Sequence, residues 1–215
     1  MQKIAGTLLL AGSAAFLGGV AVPTVTAFFS TSDSAERIAI IQNDPTGWAI
    51  GNLSTAVGAL IAAIGIIILL RTAQTLTTNS LVRSACYAGV FLAIISAVTW
   101  GIIAYGRITL SAETIDANQN INLWLFPLYP VSTGLAVILT AFVLLKVGYP
   151  KWLGWLMMAA GVFFLITLLV TGDLIPAFWY LLFIIVGVAL VVMKNRLAGI
   201  APSKTSSDLP YKVAN

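Results

Sequence analysis

Long runs without a single charge, such as 52–70 and 153–170, alternate with short segments that hold almost every ionisable residue of the chain. Each run is close to the ~20 residues that a helix needs to cross a hydrocarbon core. Inside a bilayer the backbone must satisfy its own hydrogen bonds, so these runs fold as helices and the charged segments stay at the two surfaces. The charges also sort by sign. Lys3, Arg71, Arg83, Lys146, Lys151, Lys194, Arg196, Lys204 and Lys212 stand at one set of run ends, with Asp208 as their only acid. Asp33, Glu36, Asp44, Glu113, Asp116 and Asp173 stand at the other, with Arg37 and Arg107. Lys and Arg are retained on the cytoplasmic side, which predicts that both termini are cytoplasmic.

Composition agrees with this reading. Charged residues make up 8% and hydrophobic residues 60%, against roughly 25% charged in a soluble domain, so a water-soluble fold is excluded. The pI of 9.4 does not indicate nucleic acid, because the cations are dispersed one or two at a time at helix ends; they read as topology determinants and partners of anionic lipid head groups. The chain has no histidine, which removes the usual ligand of b-type haem, zinc and copper sites. No cofactor and no metal are expected. The lone Cys86 allows no internal disulfide and reads as a small buried residue. Lys3 followed by the apolar stretch 4–10 resembles a signal peptide, but the run continues to Phe29 and is read as a retained helix.

The spacing predicts an all-α, polytopic membrane bundle of six transmembrane helices over 4–29, 48–70, 85–105, 123–145, 152–170 and 174–193. Residues 1–193 form the membrane domain, built from hairpins 4–70, 85–145 and 152–193, and 194–215 form a basic cytoplasmic tail. The short links 146–151 and 171–173 predict that the last three spans are sequential antiparallel neighbours. Trp48, Tyr105, Trp124, Tyr149, Trp152, Trp179 and Tyr180 sit at the ends of runs, where aromatic rings favour the head-group layer. Segments 34–43 and 111–120 agree at six of ten positions, from Ser34/Ser111 and Glu36/Glu113 to Asn43/Asn120, at an offset of 77. Ser54-Thr55 and Ser132-Thr133 repeat at an offset of 78. The first two hairpins therefore read as duplicated units, each carrying a short outer helix capped by Ser34 or Ser111.

Three groups are candidates for function. The fourth span opens Pro127-Leu128-Tyr129-Pro130, and the prolines remove amide donors. A polar pocket there would use Tyr129, Ser132 and Thr133, joined by Asn52, Ser54 and Thr55 of the repeat mate; a kink whose hydroxyls bond their own backbone is the plainer alternative. Glu36, Glu113, Asp116 and Asp173 would form an outer acidic rim. Gly89, Ala93, Ala97 and Gly101 recur every fourth residue, a stripe suited to close helix packing within the chain or between subunits. No ionisable residue lies in the middle of a span, and no phosphate loop or nucleophile elbow is present, which leaves no catalytic residue to nominate.

Lys3-Ile4-Ala5-Gly6, then Tyr149-Pro150-Lys151-Trp152-Leu153-Gly154-Trp155, and Pro176 opening a last helix that ends in Lys194, resemble a family of six-helix bacterial membrane proteins catalogued as a domain of unknown function. The resemblance implies a bacterial inner-membrane location and carries no catalytic or binding residue across. The leading expectation is a non-enzymatic scaffold or accessory subunit that packs against itself or another membrane protein. A small-solute or cation carrier is the alternative, and a lipid-acting enzyme has the least support. The topology is testable in a Cys86→Ala background. A membrane-impermeant maleimide will label Ser34→Cys in intact cells and Thr205→Cys only after the inner membrane is opened; the reverse pattern would overturn the orientation.

Overall fold

A computed structural model describes residues 1–117, 125–171 and 176–193. Among them the chain forms α1 (Gln2–Val20), α2 (Pro23–Ser30), α3 (Ser34–Asn43), α4 (Pro45–Gln74), α5 (Ser80–Thr109), α6 (Ala112–Ala117), α7 (Leu125–Lys146), α8 (Lys151–Thr171) and α9 (Ala177–Val192). The protein is an all-α helical bundle. Five helices, α1, α4, α5, α7 and α8, are long and apolar enough to cross a membrane. α9 is as apolar but has 16 described residues, about 24 Å of helix. Asp173 and the tail 194–215 lie outside the described residues, as do 118–120 of the second repeat and Trp124.

The first predicted span is divided. Pro23 has no amide proton and its ring clashes with a helical carbonyl four residues back, while Val22 before it adopts extended angles, φ −59° and ψ 129°. α1 therefore stops at Val20, and α2 leaves as a short separate helix. The equivalent stretch of the second unit has no proline and runs unbroken as the 30-residue α5.

Around the bundle the neighbours run α9, α1, α4, α5, α7, α8. Glycines set the tightest of these contacts. On α4, Gly51, Gly58 and Gly65 face α1, and Gly12 and Gly19 of α1 face back. A Cβ on Gly12 would stand 2.6 Å from the Ala62 amide nitrogen and 2.7 Å from the Gly58 oxygen, so the two backbones touch directly. On its other side α1 meets α9 in the same way, with a Cβ on Gly6 falling 2.8 Å from the Gly187 oxygen. Gln2 strengthens this end by donating from Nε2 to the Leu190 carbonyl at 3.0 Å.

This placement corrects the expected third hairpin. α8 packs on α7, through Gly154 and Gly161, but barely meets α9, which docks on α1 instead. Phe164 spans the gap to Phe178 and Trp179, with ring centroids 5.9 and 4.7 Å away. A glycine face admits a backbone where a phenylalanine face holds it off.

α2, α3 and α6 form a lid with its own apolar centre of Val25, Phe28, Ile41, Trp48, Ala112 and Ile115. Ser111 caps α6 by accepting from the Thr114 amide at 3.3 Å. The cap of α3 is Asp33, not Ser34: its carboxylate accepts from the Glu36 amide at 2.8 Å, which frees Ser34 for another partner. Asp44 likewise caps α4, accepting from Gly47 at 2.8 Å, ahead of Pro45 in the first turn. Of the aromatics expected in the head-group layer, Trp48, Tyr149, Trp179 and Tyr180 are buried, whereas Tyr105 and Trp152 are exposed.

Gly12→Ala forces two backbones apart and is expected to destabilise the bundle by about 1–3 kcal/mol. Gly18, beside which a Cβ meets nothing within 4 Å, tolerates alanine with no loss or a gain of up to about 1 kcal/mol. Thermal melts of the two variants in one detergent compare them directly, and equal melting temperatures would contradict the glycine contact.

Candidate functional site

Two polar assemblies stand out against the apolar bundle. The first is a cavity in its interior, between α4, α5, α7 and α9. Its lining includes Ala59, Ala62, Ala93 and Ala136, whose short side chains leave the space, with Ser96, Tyr129, Thr133 and Tyr180 as its hydroxyl groups. Its volume is about 20 Å³, counted as room for the centre of a water molecule. Ser96 Oγ lies 2.6 Å from Thr133 Oγ1, and Thr133 donates to the Tyr129 carbonyl at 2.8 Å. The Tyr129 hydroxyl meets that of Tyr180 at 3.0 Å. Aromatic rings pack around the tyrosines: Phe16 stacks on Tyr180 at 3.6 Å between centroids, and Trp100 packs on Tyr129 at 4.6 Å. No carboxylate, amine or guanidinium lines the cavity.

The sequence-based pocket is thus brought together only in part. Tyr129 and Thr133 line the cavity. Ser132 turns back to its own helix, donating to the Leu128 and Tyr129 carbonyls, the local bonding expected of a helical serine near Pro130. Asn52 donates to the Trp48 carbonyl at 2.9 Å, Thr55 to that of Asn52 at 2.8 Å, and Ser54 to Ala15 of α1 at 2.9 Å. Ser54 and Thr55 serve the α1–α4 contact, Asn52 is tied to its own helix, and none of the three lines the cavity. Sequence reasoning missed Ser96 and Tyr180. Ser96 follows Gly89 and Ala93 at helical spacing, so it shares their inward face. Tyr180 precedes Phe183, Gly187 and Leu190 at intervals of three and four, a signal that it turns inward with them.

The small-residue stripe divides along α5. Gly89 faces Leu70 and Leu139, and Ala93 lines the cavity. Ala97 is half-buried, and a Cβ on Gly101 would meet nothing within 4 Å. Residues four apart on a helix drift about 40° per step, which carries the stripe from the interior at Gly89 to the surface at Gly101.

The second assembly joins α3 to α6 in the lid. The helices run antiparallel: Arg37 Nε donates to Asp116 Oδ1 at 2.6 Å at one end, and Gln42 donates to Glu113 at 2.8 Å at the other. Ser34 also donates to Asp116, and Thr31 to Glu36 at 2.6 Å. Three of the four rim acids are therefore engaged in holding the lid; the fourth, Asp173, is outside the described residues. Arg107 makes no such ion pair among the described residues. Its guanidinium lies over Phe29 and Trp100, 5.1 and 5.6 Å from the ring centroids.

Comparison with protein-family models, with curated proteins and with solved structures gives no match.

Hydrogen bonds from Ser34 and Arg37 hold the Asp116 carboxyl below its usual value of 3.8. A depressed folded pKa means that the stabilisation is present above the unfolded value and is lost as pH falls through the folded one. The α3–α6 contact will accordingly be intact at neutral pH and loosen below about pH 4, near the carboxylate's unperturbed value. Amide exchange in α3 will report the loosening. Asp116→Asn will raise that exchange at neutral pH and flatten its acid dependence; an unchanged profile would remove the ion pair from the account of the lid.

Proposed function

We propose that this protein is a non-enzymatic, multi-pass membrane protein that serves as a scaffold or accessory subunit of a bacterial inner-membrane complex, with six spans and both termini in the cytoplasm. The observation that carries this reading is the division of labour among its side chains. The hydroxyl and amide groups placed inside the bundle bond mainly within it, while Ile50, Leu53, Val57 and Leu60 of α4, Phe91, Ile94 and Val98 of α5, and Phe163, Ile166 and Leu169 of α8 are exposed and apolar. A catalyst or pump needs ionisable groups where its substrate passes; the described cavity offers only hydroxyls. Among these outer faces, α5 around Gly101 combines an open backbone position with exposed Val98, Ile102 and Tyr105, which suits close approach by another helix.

A carrier of small solutes is the second reading, and the cavity beside Tyr129 and Thr133 favours it. Its size and the engagement of the rim acids within the lid favour the scaffold.

Extraction from native membranes in mild detergent tests the leading reading. A stoichiometric partner, or a second copy, is expected to co-purify. Gly101→Leu will reduce its recovery by about tenfold, equivalent to about 1.4 kcal/mol of binding, while leaving the melting temperature of the isolated protein unchanged. A monodisperse single chain recovered under every mild condition would reject the subunit role.

A further inference from the structure

A guanidinium has five N–H donors and no lone pair of its own, so a partly buried arginine calls for acceptors. The described carboxylates of the outer side are all engaged elsewhere. Asp33 and Asp44 accept from the amides of the helices they cap, Glu36 from Thr31, Glu113 from Gln42, and Asp116 from Ser34 and Arg37. Arg107 is left with two aromatic rings, Phe29 and Trp100, whose centroids lie 5.1 and 5.6 Å from its guanidinium carbon, and with no ion pair among the described residues. A ring face attracts a cation but supplies no oxygen for its N–H groups. The arginine is nonetheless held in place. The Trp48 indole donates to the Arg107 carbonyl at 2.6 Å, Phe28 packs on Trp48 at 4.7 Å between centroids, and Phe29 packs on Phe28 at 5.2 Å. Arg107 is only partly buried and Phe29 is 55% exposed, so the pair is reached from outside the bundle.

We infer that Arg107 binds a phosphate group at the outer surface of the bundle. Arg83 and Arg107 lie 24 residues apart on α5, about 36 Å along the helix axis, whereas the hydrocarbon core is about 30 Å thick. A helix that keeps both charges out of the hydrocarbon sets them in opposite head-group layers, where phosphodiesters are the abundant anions. The planar fork of a guanidinium matches two phosphate oxygens with two parallel N–H donors. The surroundings favour a phospholipid as the source. Phe29 presents an exposed apolar surface beside the cation, which suits an amphiphile, and the acids of the lid repel a free anion arriving from water. A lipid phosphate is already confined to the layer. Bound there, it would bridge the neighbourhood of Phe29 on α2 to Arg107 on α5 and so tie the lid to the bundle. The site needs no protein partner, so it stands or falls apart from the scaffold reading.

Photolabelling of the full chain in detergent tests the site and its source. The probe is dioleoylphosphatidylglycerol with a photoreactive head group, and the attachment points are mapped by peptide mass spectrometry. Attachment is expected beside Phe29 and within 105–110 of the unaltered protein. Arg107→Gln will reduce that labelling by about tenfold, the loss of roughly one charge-assisted hydrogen bond, while Arg83→Gln leaves it unchanged. Excess unlabelled dioleoylphosphatidylglycerol will compete, and dioleoylglycerol, which has the same chains and no phosphate, will not. Competition by millimolar inorganic phosphate would keep the phosphate site and make free phosphate its source. Equal labelling of the unaltered protein and a folded Arg107→Gln variant would overturn the proposal. So would attachment confined to the cytoplasmic ends of the helices, a result that needs no variant to fold. Asp173→Asn is expected to change nothing; a tenfold gain in labelling would show that this acid already holds Arg107, and would overturn the proposal as well.

Discussion

Helices already inside a bilayer gain nothing further by leaving water, so what holds them together is how closely their surfaces meet. In this bundle the closest approach belongs to α1, which meets α4 through Gly12, Gly19, Gly51 and Gly58 and meets α9 through Gly6 and Gly187. Two backbones in contact leave no freedom for the residues beside them. Phe16, on the same helix, is thereby placed against both Tyr180 and Trp100, and the aromatic centre of the molecule is assembled around it. The interior hydroxyls follow from that geometry: Tyr180 reaches Tyr129 because α9 is drawn onto α1 and not onto α8.

The two hairpins that share the sequence repeat reuse one contact pattern and then diverge. Gly12 of α1 faces Ala62 of α4, and Gly89 of α5 faces Leu139 of α7, with 77 residues between each corresponding pair. Gly19 packs on Thr55 in the first unit; at the matching place in the second, Ser96 meets Thr133. Replacing glycine by serine at that point turns a bare backbone contact into a hydroxyl pair. The second unit consequently contributes the polar side of the cavity, while the first contributes alanines and keeps its own Asn52 and Thr55 tied to local carbonyls. The match extends to α1 and α2, which together occupy the place of α5 and differ from it by the break at Pro23.

Much of this organisation was legible in the sequence because it is local. Uncharged runs mark helices, the recurrence of Ser-Ala-Glu and Gln-Asn marks the lid pair, and the hydroxyls that follow the prolines of α7 bond backward to their own helix, as Ser132 does. What escaped was which helix covers which. Trp179 and Tyr180 stand at the end of an apolar run, where amphipathic rings usually face head groups, yet both are buried because α9 lies across α1 and beside α7. Trp48 is buried for a different reason: the lid folds over it, and its indole donates to the Arg107 carbonyl at 2.6 Å. The Gly89–Gly101 stripe does not keep to one face, since a four-residue period winds around the helix: it packs inside the bundle at Gly89 and reaches an open position at Gly101.

The lid shows how two similar segments form a specific joint. α3 and α6 share a sequence pattern, but Arg37 corresponds to Thr114 and Asp116 corresponds to Ala39. The opposite charges therefore occur once, on different copies, and the Arg37–Asp116 bond forms only between a first-unit helix and a second-unit helix. An α3–α3 or α6–α6 pairing between molecules would lack one of the two charges, which disfavours the mismatched association that near-identical surfaces invite. Gln42 and Glu113 lie at the other end of the antiparallel pair and add a second bond, but Glu and Gln stand at these positions in both copies, so the preference for the unlike pair rests on Arg37 and Asp116 alone. The two hairpins are thus joined twice, by contacts such as Gly89 on Leu70 and Phe16 on Trp100 within the bundle and by unlike charges above it. The second joint depends on carboxylates that keep their charge at neutral pH, while the contacts of the first are made by apolar and aromatic side chains.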